Sequence, residues 1–320
     1  MRAAYITTLS AVTVAETDEP AIDPALVQIE VAAAGVSYPD VLLSQGRYQI
    51  KPEPPFIPGS EIAGRVRYAP DGSGFSVGQQ VAGFPFLGAF AEVVNVDPRL
   101  VFPLPPDLSA VRAAAIPMNY LTVHFALLRR GSLQPGETVL VHGAGGGVGT
   151  AAVQFAHALG ARVIAVVSSD AKAEIARKAG ADEVIRVDGF RAQVAELTGG
   201  KGVDLIVDPV GGDRFTDSLR SLATEGRLLV LGFTAGEIPT VRVNRLLLNN
   251  TAVIGVSWGG YWRTRVDYLG RQWRELLPLI RSGQIDPVIG TVYPLDEVAT
   301  ALTDMAERRT LGKSVLRLTD

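Results

Sequence analysis

An apolar run, Val139-Leu140-Val141-His142, breaks at Gly143 into Ala144-Gly145-Gly146-Gly147-Val148-Gly149, and beyond it Val148, Ala151, Ala152, Phe155, Ala156 and Leu159 recur at helical spacing. Strand, glycine turn and helix in that order restrict the fold sharply, because they open a βαβ unit whose turn cradles a phosphate. Glycine admits positive φ and removes the Cβ that would hold a pyrophosphate off the backbone, while the first N–H groups of the helix face the anion. The register Ala144-x-Gly146-x-x-Gly149 departs from GxGxxG at its first position, and a glycine cluster alone also suits a flexible loop. The apolar stretch 162–167 that follows the helix supplies a second strand and decides for a nucleotide fold.

Around this unit the chain is long enough, at 320 residues, for two domains or for one inserted in another. Its net charge of −3 is spread without long blocks, so no basic footprint for nucleic acid is present. Cysteine is absent, which excludes disulfides, thiolate-held zinc, iron–sulfur clusters and cysteine nucleophiles. The first residues turn polar too early for a signal peptide, so the expected address is cytoplasmic. The window 113–128 is interrupted by Pro117, Asn119 and His124 and is not a membrane span.

Residues 5–102 read as short strands and tight turns, with 25–31 alternating as a half-buried strand should and a proline-rich loop at 51–58. From 107 to 131 the composition becomes helical. After the glycine loop, strands at 183–187, 203–209 and 227–232 alternate with helices at 170–179, 190–197 and 213–222, and 251–257 closes the run as a sixth strand. Such alternation predicts a parallel sheet covered on both faces. A long amphipathic helix from 259 to 281, a strand at 288–293, a helix at 295–307 and a strand at 314–318 look like the first part again. The predicted architecture is therefore α/β: a Rossmann-type doubly wound sheet at 119–258, inserted in a mostly β domain made of 1–118 and 259–320.

With these elements in place, Gly59-Ser60-Glu61-Ile62-Ala63-Gly64, Val77-Gly78-Gln79-Gln80-Val81, the glycine loop, Asp208-Pro209-Val210-Gly211-Gly212 and Gly312-Lys313-Ser314-Val315-Leu316 together resemble the medium-chain dehydrogenase/reductase superfamily, in its zinc-free quinone oxidoreductase branch related to zeta-crystallin. The resemblance covers essentially the whole chain and implies that the mostly β part is GroES-like. Zinc-dependent members place a cysteine where this chain has Ser37, a histidine where it has Ser60 and a cysteine near Met118, so the resemblance implies no metal site. His124, His142 and His157 are scattered without ligand spacing.

The second strand of an NAD site usually ends in a carboxylate that binds the ribose hydroxyls; here Val167 is followed by Ser168 and Ser169 with Lys172 one turn on, which suits the 2′-phosphate of NADPH. Arg186 at the end of the third strand adds positive charge, and Asp170 suits the start of its helix. The resemblance further implies cofactor contacts at Thr122, Val210, Gly211, Gly232, Phe233, Ser257, Trp258 and Lys313, although Phe233 and Trp258 also suit a plain packing role. It implies transfer of hydride from NADPH to a quinone or an α,β-unsaturated carbonyl compound, with Ser37, Tyr38 and Tyr48 as hydrogen-bond donors to the acceptor oxygen; for Tyr48 proton donation and packing stay equally open. Glu61 and Asp40 are read as structural. Two alternatives remain: an enoyl-thioester reductase, which needs a basic patch for the carrier's phosphate, and a nucleotide-binding protein with little turnover. The apolar sixth strand, at the sheet edge, predicts a homodimer through 251–257, which a monomer at micromolar concentration would refute.

Overall fold

The computed structural model describes residues 1–319 and divides the chain into two compact units. The first comprises Met1–Met118, Val266–Leu277 and the chain from Ile289 on; the second comprises Asn119–Arg265 and Pro278–Val288. The chain opens with β1 (Arg2–Thr8), β2 (Ala11–Glu16), β3 (Val27–Val36), α1 (Tyr38–Ser44), β4 (Glu61–Tyr68), β5 (Gln80–Gly83), β6 (Val93–Val96), β7 (Val101–Pro103) and α2 (Ala110–Ala113). Next, α3 (Pro117–His124) runs through a π-helical stretch, Phe125–Arg130, towards β8 (Thr138–His142), α4 (Gly147–Ala158), β9 (Arg162–Val167), α5 (Asp170–Lys178), β10 (Glu183–Arg186) and α6 (Phe190–Leu197). There follow β11 (Val203–Asp208), α7 (Phe215–Arg220), β12 (Leu222–Val230), α8 (Asn244–Asn249), β13 (Ala252–Gly255), α9 (Trp258–Trp262), α10 (Asp267–Arg281), β14 (Ile289–Pro294), α11 (Val298–Ala306) and β15 (Lys313–Arg317).

In the second unit all strands pair in parallel in the order β10-β9-β8-β11-β12-β13. The apolar runs that made these segments readable are buried on both faces, as a parallel sheet requires: Val139, Leu140, Val141, Val163, Ile164, Ala165 and Val166 are all fully buried. On one face Phe190, Val194, Phe215 and Leu219 close a core over Leu140, Ile164, Ile206 and Leu228, each such side chain contributing about 2 kcal/mol by leaving water. The strand order reverses at β8, whose neighbours are β9 and β11, so the carboxyl end of β8 lies where open α/β sheets bind their ligands.

In the first unit β1 and β2 form a hairpin, and a seven-stranded sheet runs β14-β15-β3-β4-β5-β7 with β6 also paired to β3. Its central strand, β3, is not the half-buried alternating strand the sequence predicts. Apart from Glu30 and Ala32 it is buried along its length. A register shift against β4 between Val31 and Ala33 changes the phase, so Val27, Ile29 and Val31 share a core with Ala34 and Val36, while Ala33 packs with Ala113, Ala114 and Ala115. The run Ala32-Ala33-Ala34 conceals that switch, because three small residues carry no face preference.

Other elements also differ from expectation. The helix expected over 259–281 is two helices, α9 and α10, separated at residues 263–266. The helix expected over 213–222 is a 3₁₀ turn and α7, and β12 begins at Leu222 because Val203 N–H already donates to the Ser221 carbonyl. Two short helices, α1 and α8, lie where no helix is expected. No helix among the described residues is long and apolar enough to cross a membrane.

Candidate cofactor crevice and buried polar cluster

In the second unit the predicted cofactor residues gather at the carboxyl ends of the strands. The glycine loop follows β8, and Gly146 caps α4 with extended backbone (φ −100°, ψ 176°). Gly149 sits where a Cβ would lie 2.1 Å from the Gly143 carbonyl oxygen, so α4 packs onto the turn only because this side chain is missing. Lys172 packs its stem against Gly145, where a Cβ would meet the lysine's own Cβ at 2.6 Å, and Val210 lies against Gly143. After β9, Ser168 is exposed, and Ser169 caps α5 by accepting from the Lys172 N–H at 3.3 Å. Arg186 Nη2 donates to Asp170 Oδ1 at 2.6 Å, so the aspartate that opens α5 is also the partner of the arginine at the end of β10.

The loops after β11 and β12 are joined: Leu231, Thr234 and Ala235 N–H donate to the carbonyls of Asp208, Pro209 and Val210. Asp208, almost fully buried, turns the first of these loops by accepting from the N–H groups of Val210 (2.8 Å) and Gly211 (2.9 Å). Phe233 is 38% exposed and lies against Gly211, whereas Trp258 is buried against Trp262 with ring centroids 5.9 Å apart. Thr122 on α3 is half-buried, Gly232 likewise, and Ser257 is exposed just before α9.

The histidines do not meet. His124 stacks on Phe155, His157 lies 3.8 Å from Asp182, and His142, wholly buried, places Nε2 2.8 Å from Ser218 Oγ and its ring edge-on to Phe190. Burial holds the His142 imidazole neutral, its pKa pushed down to about 4.

In the first unit a polar cluster stands at positions sequence reasoning had separated. Ser37 is the N-cap of α1, Pro39 follows in the first turn, and Asp40 Oδ2 accepts from the Ser37 N–H at 2.7 Å. The sequence carries the signal, Ser-x-x-Asp being half of a capping box, which suits the structural reading of Asp40. Ser37 Oγ donates to Glu61 Oε1 at 3.0 Å and accepts from Lys313 Nζ at 2.6 Å, and Lys313 Nζ lies 2.5 Å from the same Glu61 oxygen. The other oxygen of Glu61 accepts from the Met118 N–H at 2.7 Å. Gly35 makes the room: a Cβ there would come within 2.5 Å of Glu61 Oε1. Lys313, expected at the cofactor, is thus enclosed in an ion pair whose carboxylate is fully buried. Tyr38 and Tyr48 are half-buried on α1 and just beyond it.

Asp40 is also fully buried, and its Oδ1 has no partner among the described residues. Burial pushes its pKa up to about 7, with Glu61 adding to the rise and the Ser37 N–H, the Lys313 ammonium and the Gly59 N–H opposing it. An acid whose folded-state pKa exceeds its unfolded value contributes stability that is full below pH 4 and is lost as pH rises through 7. Asp40→Asn keeps an acceptor for the Ser37 N–H and removes the charged form. The variant should gain on the parent protein by about 2–4 kcal/mol between pH 4.5 and 8, followed by urea denaturation at each pH. A difference that stays constant with pH would place the titration elsewhere.

Comparison with known proteins identifies the scaffold. Residues 23–106 match the alcohol dehydrogenase GroES-like domain family and residues 147–282 the zinc-binding dehydrogenase family. Quinone oxidoreductase-like protein 2 of Bos taurus is 38% identical over 93% of this chain and 86% of its own length. The chain belongs to the medium-chain dehydrogenase/reductase family. Within it the relatives are quinone oxidoreductase-like. A probable oxidoreductase of Mycobacterium abscessus superposes with a TM-score of 0.92 at 44% identity over 99% of both chains. The Escherichia coli quinone oxidoreductase, solved with NADPH, gives 0.90 at 31% identity over 99% of this chain and all of its own. These matches establish the GroES-like unit and the Rossmann-type unit as the family's pair. The zinc in the second family's description does not suit the residues here. Ser37 Oγ is already engaged by an ammonium that would repel a metal ion, and Ser60 and Met118 offer no thiolate or imidazole. Among the described residues no group of three His, Cys, Asp or Glu side chains has the geometry to hold a metal ion.

Proposed function

We propose that this protein is an NADPH-dependent reductase of quinones or α,β-unsaturated carbonyl compounds that works without zinc. The observation that carries the reading is the crevice at the carboxyl end of β8, where the glycine loop adjoins Lys172 and Val210 and no carboxylate ends β9. A pyrophosphate would rest on the N–H groups of Gly146 to Gly149 at the start of α4. A 2′-phosphate would be met by Ser168, Ser169 and Lys172, with Arg186 close by and drawn from Asp170 towards the stronger anion. Val210, Gly211, Gly232 and Phe233 form the adjoining wall in this reading, with Thr122, Ser257 and Trp258 towards the nicotinamide.

Bound NADPH supplies the two electrons as hydride; the protein has to orient the acceptor and stabilise the oxygen that gains charge. Of the candidate donors, Ser37 has its proton directed at Glu61, which leaves Tyr38 and Tyr48 to reach an acceptor oxygen. The reading extends to a homodimer through β13, a four-residue edge strand preceded by the exposed apolar side chains Val243, Leu247 and Leu248. Arg130 Nε already covers the Gly255 carbonyl at that strand's end.

The test is the oxidation of NADPH with 1,4-benzoquinone and with an enone, NADH run in parallel and a chelator present. Enzyme-dependent oxidation that prefers NADPH is expected, and Lys172→Glu should raise the KM for NADPH about tenfold while that for NADH changes little. No turnover with either acceptor would overturn the reading.

A further inference from the structure

Asp170 opens α5, yet its carboxylate is engaged across the sheet and not by its own helix. Ser169 caps α5 through its hydroxyl, while the Asp170 side chain, 98% exposed, accepts from Arg186 Nη2 at 2.6 Å. The sheet places that arginine. In the parallel pairing of β10 with β9, Arg186 stands opposite Val167, the position at which an NAD site ends its second strand with a carboxylate. Its Nη1 is buried and has no partner among the described residues, so one end of the guanidinium is held by Asp170 and the other is unused.

Asp170 is badly placed for a 2′-phosphate and well placed for a ribose hydroxyl. It comes directly after Ser168 and Ser169, whose hydroxyls would meet the phosphate, so two like charges would share the mouth of one loop. Arg186 offsets that conflict. An exposed ion pair is weakly held, and a phosphate is the stronger partner for a guanidinium fork, so the arginine exchanges one anion for the other at little cost. Where the ribose carries no phosphate the pair to Asp170 stays, and the second carboxylate oxygen, facing water, is open to a ribose hydroxyl.

We propose that Asp170 is a specificity-determining residue which, together with Arg186, lets this one ribose site accept NADH as well as NADPH. This rests on the reductase reading above and deepens it at the cofactor. NADPH is held by Arg186 released from Asp170; NADH is held by Asp170 with Arg186 still paired to it. The same two side chains thus favour the phosphorylated nucleotide without closing the site to the other.

The experiment titrates the full chain with NADPH and with NADH, following the fluorescence of the reduced nicotinamide, so that no acceptor is involved. The parent should bind NADPH about tenfold more tightly than NADH, and higher ionic strength should narrow that ratio. Asp170→Asn should widen it to about a hundredfold, NADPH gaining as the repulsion goes and NADH losing the carboxylate that receives its ribose; Asp170→Glu should stay nearer the parent. Arg186→Ala should weaken NADPH at least about tenfold, and Asp170→Asn added to it should recover part of that loss. An Asp170→Asn variant with a lower melting temperature and an unchanged ratio would assign Asp170 to the start of α5 alone and overturn the proposal. A parent ratio above about a thousandfold would overturn it too and leave the reductase reading standing. Binding of neither nucleotide would reject the cofactor reading, and this inference with it. The expected ratios without turnover of any acceptor would support the two-way site and reject the reductase reading.

Discussion

Lys313→Met should destabilise the protein by about 3–5 kcal/mol, the largest loss expected from any single side-chain replacement here. The reason is what remains. Glu61 is fully buried, and the ammonium of Lys313 is the cation 2.5 Å from its Oε1. With Lys313 gone, the carboxylate keeps only the Ser37 hydroxyl and the Met118 N–H, neutral donors that do not offset the desolvation of a full charge. The same argument predicts rescue. In Lys313→Met combined with Glu61→Gln the uncompensated charge disappears while a side-chain oxygen still accepts from Met118, so the double variant should regain most of the loss. Urea denaturation of the parent, both single variants and the double variant measures the coupling. A single-variant cost below about 1 kcal/mol, or a double variant no better than Lys313→Met, would show that the pair is not the electrostatic centre of this unit. Titration of the same variants with NADPH then separates two roles: unchanged affinity assigns Lys313 to the cluster, and a parallel loss restores the contact expected from family resemblance.

That cluster marks the limit of what the sequence discloses. Ser37 and Lys313 are 276 residues apart, and nothing in spacing or periodicity joins them. The pairing depends on β15 lying antiparallel beside β3, with Ser314 opposite Val36, a tertiary fact that no local pattern encodes. The parallel sheet was legible for the opposite reason. Its strands are continuous apolar runs, each followed by a helix with its own periodicity, and a glycine turn fixes which strand stands first. Local reading failed where residues were small or neutral in preference. Ala32 to Ala34 hide the phase change in β3, and Ser37 to Asp40 hide α1 behind a proline and a polar start although the half capping box is there.

Within the glycine loop two alanine substitutions should come apart completely. Gly149→Ala puts a Cβ 2.1 Å from the Gly143 carbonyl oxygen and 2.7 Å from the Ala144 Cα, both backbone atoms that cannot swing aside. Either α4 shifts off the turn or the turn deforms, and the expected cost is about 2–4 kcal/mol of stability together with loss of NADPH binding. Gly146 is different. Its backbone lies in a region any residue adopts, and a Cβ there would meet nothing nearer than the Gly143 oxygen at 3.6 Å, an ordinary contact. Gly146→Ala should therefore fold with a loss below about 1 kcal/mol, the usual cost of alanine at a helix N-cap. Its methyl group stands on the surface over which a pyrophosphate must approach the N–H groups of α4, and NADPH affinity should fall at least about tenfold. Thermal unfolding with and without NADPH reads both quantities in one experiment. A lower melting temperature with a retained cofactor shift in Gly149→Ala, or an unchanged shift in Gly146→Ala, would mean that the phosphates bind elsewhere than on this turn.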